Sequence, residues 1–244
     1  MPADSPHGLP MNTELARFNM IEQQIRPWQV LDPSVLSLLG TVRREDFVPP
    51  HLRALAFVDT QLPLLEGDAD SVAAGLDAST APCMLEPKVE ARLLQALQVQ
   101  RHEEVLEIGT GSGFMAALLA HRALKVTTLE CRPALARTAR DNLARNGVVN
   151  ATVVDVSEAE GALGRACDGP FDVILLSGSV AAVPPALLRL LKPGGRLAAV
   201  VGEQPVMRAR LYTRAGDAAW SQVDLFDTVA PRLQGFGEPT RFHF

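Results

Sequence analysis

The sequence predicts an α/β fold: a mostly parallel, seven-stranded sheet, a helical cap before it and an antiparallel hairpin after it. Three observations carry this. Residues 104–120, EVLEIGTGSGFMAALLA, pass from an apolar strand pattern through three alternate glycines into an apolar helix pattern. From there to Gly202 strand and helix signals alternate, as they do where crossover helices join parallel strands. Before residue 104 and after residue 202 that rhythm is absent.

Each element has its own reason. Residues 1–11 read as a disordered tail. Residues 12–103 read as a cap over the carboxyl edge of the sheet, where open α/β folds bind ligands. Within the cap, FNMIEQQI and PSVLSLLGTV are helical patterns and residues 54–82 are loop-rich. EPKVEARLLQALQV is a helix with Pro87 in its first turn and Val89, Leu93, Leu94 and Leu97 on one face. Residues 104–244 form the ligand-binding α/β domain, one compact unit with the cap.

In that domain VLEIG is the first strand, followed by a helix through Leu118 and Leu119, and KVTTLE is the second strand. RPALARTARDNLARNG is a helix, opened by Pro133, lined by Leu135, Ala139 and Leu143, and ended by Gly147. Arg132, Arg137, Arg140 and Arg145 form its solvated face. ATVVD is the third strand and PFDVILLSG the fourth, apolar enough for burial on both faces. VPPALLRLLKPGG reads as a helix with a Lys-Pro-Gly-Gly stop, and RLAAVVG as the fifth strand. RARLYTRAG and WSQVDLFDTVAP make the hairpin at the sheet edge.

Composition narrows the function classes. A hydrophobic fraction of 47% with 21% charged residues is that of an ordinary globular protein. The net charge of −5 argues against general affinity for nucleic acid or anionic membranes. No apolar run is long enough for a membrane span, and no signal pattern opens the chain, so a cytoplasmic location is expected. Cys83, Cys131 and Cys167 are widely spaced, which suits a reducing compartment and small, partly buried side chains. The scattered histidines give no metal-ligand spacing.

The glycines choose the cofactor. A dinucleotide loop is G-x-G-x-x-G, the third glycine allowing close helix–strand packing. Here Phe114 stands at that third position and the pattern is instead E-x-G-x-G-x-G from Glu107, with Gly109, Gly111 and Gly113. Such a loop suits S-adenosylmethionine, which brings no pyrophosphate. Glu107, ending the first strand, is placed to accept from the ligand's ammonium group. Glu130, ending the second, is placed to take both ribose hydroxyls, a bidentate task for a carboxylate. Thr110, Ser112, Cys131 and Ser177 complete the expected cofactor contacts, with Asp155 and Ser157 on the adenine side. The expected architecture is therefore the Rossmann-like class I methyltransferase fold.

Outside the cofactor loop the sequence resembles the protein-L-isoaspartate O-methyltransferase family. The resemblance runs through MIEQQIRPWQVLDPSVLSLLGTVRREDFVP, LRALAFVDTQLPLLEG, VLEIGTGSGF and ALLRLLKPGGRL. It implies methyl-ester formation on the carboxylate of isoaspartyl residues in damaged proteins, with S-adenosylmethionine as donor. The family's Thr-Ile-Ser-Gln-Pro segment corresponds to CMLEP, so the resemblance puts Cys83 at the threonine, Leu85 at the serine and Glu86 at the glutamine. Extra residues at 68–82 precede that segment, and Ser79 or Thr80 is an alternative source of the hydroxyl.

This departure matters chemically. A carboxylate nucleophile is already ionised at neutral pH, but in a dry pocket it needs hydrogen-bond donors, and Leu85 supplies none. A Glu86 facing the pocket would repel an anion and suit a neutral or basic nucleophile, with Glu86 as proton acceptor; facing away, it is a first-turn residue favoured by the helix dipole. Leu85 itself reads as a core-packing residue. Arg26, Pro27 and Trp28 are either a protein-substrate contact or a helix end with a packed indole, and Ser177 to Ser179 either a substrate contact or a loop. The leading expectation is thus a protein or peptide substrate with isoaspartyl residues. The alternatives are a small molecule or another protein nucleophile, or a cofactor-binding relative without turnover.

Overall fold

Capping chemistry starts the cap. Asn12 Oδ1 accepts from the Leu15 backbone N–H at 3.1 Å and opens α1, Thr13–Asn19. The chain continues through a wide turn of helix, Met20–Ile25, and a tight one, Arg26–Trp28, and leaves in the left-handed region at Gln29. Asp32 caps α2, Pro33–Thr41, accepting from Ser34 N at 2.8 Å. Short 3₁₀ turns at Arg44–Asp46 and Pro50–Leu55 lead to a two-residue ribbon. In it β1, Leu62–Pro63, pairs antiparallel with β2, Cys83–Met84. The helix α3, Pro87–Leu97, follows at once and buries Val89, Leu93, Leu94 and Leu97, the expected face. The computed structural model describes residues 12–65, 81–156, 169–217 and 219–237. The tail, most of the 68–82 stretch with Ser79 and Thr80, Ser157 and Cys167 lie outside them.

The second half is the main sheet. Its strands are β3, Glu104–Ile108, β4, Lys125–Glu130, β5, Ala151–Asp155, β6, Phe171–Val180, β7, Leu191–Glu203, β8, Val206–Arg214, and β9, Trp220–Thr228. The helices α4, Phe114–Ala120, α5, Pro133–Arg145, and α6, Pro185–Arg189, lie between them. The spatial order is β5-β4-β3-β6-β7-β8-β9, seven strands, parallel as far as β7 and antiparallel from β7 to β9. The order reverses between β3 and β6, so a crevice opens at their carboxyl ends. The sheet, the cap and the hairpin agree with the sequence-based expectation.

One apolar core joins cap and sheet. Ile25, Leu39, Phe47, Leu62, Leu85 and Leu93 belong to the same buried cluster as Ala116, Val126 and Val173. A second core, with Leu106, Ile108, Ile174, Leu187, Leu197 and Tyr212, covers the opposite face. Along α5, Leu135, Ala139 and Leu143 point inward, whereas Arg137, Arg140 and Arg145 are exposed.

Two boundaries differ from expectation. The helix before the Lys-Pro-Gly-Gly stretch ends at Arg189, and β7 already begins at Leu191. Phe171 pairs with Leu191 but Val173 with Arg196, so residues 192–195 bulge out of the ladder instead of stopping a helix. Lys192 Nζ holds the bulge to Asp172 Oδ2 at 2.7 Å, and that same oxygen accepts from Glu104 N at 2.9 Å. The second difference is that Ser177, Gly178 and Ser179 form the end of β6 rather than a loop. The C-terminal chain keeps them extended: Ser179 N donates to Pro231 O at 2.7 Å and Leu233 N to Ser179 O at 2.9 Å.

Candidate active site

The glycine loop turns at the carboxyl end of β3. Gly113 has φ +86, and a Cβ there would meet the Ala139 carbonyl oxygen at 3.3 Å and its Cα at 3.4 Å. The close approach between loop and α5 is therefore made one residue before Phe114. This frees the Phe114 side chain to leave the sheet for the cap, where its ring centroid lies 5.5 Å from that of Phe47. Gly109, at φ +94, faces the C-terminal chain, with Leu233 Cδ2 2.8 Å from where a Cβ would stand.

Three acidic groups frame the crevice. Glu107 is fully buried at 0% exposure; Thr128 Oγ1 and Ser177 Oγ each donate to it at 2.7 Å. Thr110 and Thr128 share a hydroxyl contact of 2.6 Å that extends this network into the loop. Burial pushes the Glu107 carboxyl up to about 7, with Glu90 and Glu130 adding like-charge repulsion against the hydroxyl donors. Glu130, also buried, accepts from Gly111 N at 2.9 Å and Arg132 N at 3.0 Å, and burial holds its pKa above the usual range. Cys131 Sγ lies 3.7 Å from Glu130 Oε1 and 3.5 Å from Gln234 Oε1. Asp155 pairs with Glu130 across the β4–β5 ladder and is exposed.

The ribbon and the start of α3 form the opposite wall. Leu85 is buried at 4% exposure in the core. The Cys83 thiol is pushed up to about 12, first by burial and then by Glu86 and Glu90, so it stays protonated at neutral pH. It lies 3.5 Å from Gln61 Oε1, whose Nε2 donates to Val229 O at 2.8 Å and reaches both Glu86 oxygens at 3.4 Å. Glu86 is thus half-buried against Gln61. Trp28 packs edge-on to Phe226 at 6.3 Å beneath Lys88, and Arg26 pairs with Glu22 at 2.8 Å, which matches the packed-indole alternative.

A single cavity connects the two walls. Cys83, Met84, Leu85 and Glu90 line one side, and Glu107, Gly109, Thr110, Gly111, Ser112, Phe114, Met115 and Ser177 the other. Gly113, Glu86, Glu130, Cys131 and Asp155 are not among the residues that line it. Two charged contributors are missing from the sequence-based expectation. Glu90 lies on the apolar face of α3, and Arg44, 2% exposed, donates through Nη1 to Glu90 and through Nη2 to Leu85 O at 2.7 Å. A charge in register with Leu93, Leu94 and Leu97 is the available signal for Glu90; nothing local marks Arg44.

This arrangement has known counterparts. A sequence model described as protein-L-isoaspartate(D-aspartate) O-methyltransferase matches residues 16–229. The chain belongs to that family. The protein-L-isoaspartate O-methyltransferase 2 of Marinobacter nauticus is 38% identical over 220 residues, covering 90% of this chain and 93% of its own. The Methylorubrum populi protein-L-isoaspartate O-methyltransferase is 34% identical over 227 residues, covering 92% and 98%. A Plasmodium falciparum family member, solved with S-adenosyl-L-homocysteine, superposes with TM-score 0.69 at 18% identity, over 93% of this chain and all 100% of that one. At that identity the likeness shows the fold: a class I methyltransferase sheet with the family's cap. Among the described residues no group of acidic, histidine or cysteine side chains could hold a metal, and no helix is long and apolar enough to cross a membrane.

Proposed function

We propose that this chain is an S-adenosylmethionine-dependent protein-L-isoaspartate O-methyltransferase that esterifies the carboxylate of isoaspartyl residues in damaged proteins. The observation that carries the reading is the single cavity that joins the glycine loop and Glu107 to the Cys83–Leu85 wall, in a chain matched by the family over residues 16–229.

The residues present fit the cofactor. Glu107 is a buried carboxylate bonded to hydroxyls, and the charges that act on it, Glu90 and Glu130, are negative. A cationic ammonium is what such a group lacks. Glu107 would hold it, the loop at Gly109, Thr110, Gly111, Ser112 and Gly113 would flank it, and Glu130 beside Cys131 would take the ribose hydroxyls. Asp155 would border the adenine. When bound, the cofactor supplies a methyl on a sulfonium with a neutral leaving group.

The chain's own residues then have three tasks. Ser177 and Thr128 keep Glu107 in one orientation. Met84, Leu85, Phe114 and Met115 give the cavity apolar walls that exclude water and hold the nucleophile in line. The acceptor carboxylate is ionised at neutral pH, so no base has to remove a proton. With Leu85 in the serine position, Ser112, a buried residue of the cavity lining, would be a hydroxyl donor open to this carboxylate. The cap of residues 12–103 and the sheet domain of residues 104–244 work as one unit, sharing a core. A cytoplasmic site of action belongs to the same reading, supported by the free Cys83 and Cys131.

Incubation with labelled S-adenosylmethionine and an isoaspartyl peptide is the test: base-labile methyl ester above that on the matching aspartyl peptide is expected. A second reading, methylation of a neutral nucleophile, is favoured by the buried Leu85 and by Glu90 on the cavity wall. Turnover confined to uncharged acceptors in the same assay would replace the first reading with the second.

A further inference from the structure

Glu90 is a charged residue on the otherwise apolar buried face of α3. It occupies the first turns of α3, is 5% exposed, and lines the same cavity as Leu85, Ser112 and Phe114. Its counter-ion is Arg44. Arg44 holds Glu90 through Nη1 and the Leu85 carbonyl through Nη2, and its guanidinium stacks 5.0 Å over the Phe114 ring. Arg44 is not part of the cavity lining, so an acceptor entering beside Leu85 meets the negative partner of this pair and not the positive one.

Resting on the isoaspartyl reading above, we propose that Glu90 is a specificity-determining residue: its carboxylate on the acceptor wall weakens the binding of anionic acceptors in a pH-dependent way. The groups that face it are Arg44 from the 3₁₀ turn at 44–46, Cys83 from β2, Glu86 from the start of α3, and Glu107 from β3. Arg44 favours the charged form, while burial and Glu86 oppose it and hold the carboxyl at about 7. Below that pH Glu90 gains a proton, the repulsion fades and a carboxylate acceptor binds more tightly. Above it the acceptor carboxylate and Glu90 are both negative in a site of low dielectric, where like charges a few ångströms apart cost far more than in water.

The test is calorimetric binding of an isoaspartyl peptide to the full chain saturated with S-adenosylhomocysteine, between pH 6 and pH 8, with steady-state kinetics alongside. Saturation keeps Glu107 engaged, so that Glu90 is the group left to titrate. Wild type is expected to lose about tenfold in peptide affinity over this range. Glu90→Gln keeps the shape and still accepts from Arg44, so it folds; it is expected to bind about tenfold more tightly at pH 8, with a flat pH profile. Glu90→Asp is expected to restore the pH dependence, which a merely structural role would not do. Equal affinities and parallel profiles for wild type and Glu90→Gln, with the peptide bound and methylated, would overturn this inference alone. A peptide that neither protein binds or methylates would overturn the isoaspartyl reading together with it.

Discussion

The two walls of the cavity teach different lessons. The donor wall, from Glu107 through Ser112, is one continuous segment plus the ends of β4 and β6. Its groups are held by backbone amides, such as Gly111 N on Glu130, and by hydroxyls of neighbouring strands. The acceptor wall is assembled from residues far apart in sequence: Gln61 braces Cys83 and Glu86, and Arg44 clasps Glu90 and the Leu85 carbonyl. Local geometry suffices for the first. The second exists only when the cap is docked, and it places a buried ion pair where the donor wall places hydroxyls.

The sharpest way to break this contrast is to unpair the clasp. Arg44→Met would leave the Glu90 carboxylate buried without its counter-ion, and a loss of about 3–5 kcal/mol is expected, read by denaturant unfolding. The double variant Arg44→Met with Glu90→Leu should recover most of it, because no charge is then left alone in the core. Full stability of the single variant would show that the clasp does not hold the acceptor wall.

Smaller but cleaner effects are expected on the donor wall. Glu130→Ala should weaken S-adenosylmethionine binding about tenfold to a hundredfold by calorimetry, through loss of a bidentate charged acceptor, while a bound isoaspartyl peptide is held as before. An unchanged donor affinity would remove Glu130 from the site.

Glu107 gives a pH test with a definite sign. Its folded pKa is raised from the ordinary 4.5 to about 7, so between those values the folded state holds a proton that the unfolded state has released. Stability of the ligand-free chain should therefore fall as pH rises across that window and level off above it. Glu107→Gln should make this part of the profile shallower, the remaining slope belonging to Glu90, raise the thermal midpoint at pH 8 by a few degrees and still bind the donor more weakly. A midpoint that climbs with pH in wild type but not in the variant would reverse the assignment.

The smallest expected change in function is at Leu85. Replacing it by serine restores a hydroxyl donor to the acceptor wall and should improve kcat/KM on an isoaspartyl peptide several-fold, at a stability cost of about 2–5 kcal/mol for a residue at 4% exposure. A stability loss with no catalytic gain would indicate that Ser112 already fills the donor role.

The residues behind these expectations differ in how legible they are in the sequence. Glu107, Gly109, Gly111 and Glu130 stand at strand ends or in a tight turn, so alternation and glycine spacing are enough to place them. The packed face of α3 and the edge hairpin are equally readable, because periodicity records which side of an element is buried. The Lys-Pro-Gly-Gly stretch is misread because a bulge and a helix stop share the same residues, and only pairing with Asp172 tells them apart. Phe114 speaks against the dinucleotide reading, but its actual neighbours, Phe47 and Arg44, come from the cap.

The sequence alone therefore determined the α/β class, the order of strands and helices and the donor loop, since these depend on local periodicity, strand ends and backbone freedom at glycine. Only the tertiary structure decided that Arg44 faces Glu90, that Gln61 holds Cys83 and Glu86, and that Leu233 closes against Gly109 and Gly178. The reason is physical: a contact between residues dozens of positions apart carries no period, and it forms where two docked surfaces leave a charge or a void to be met.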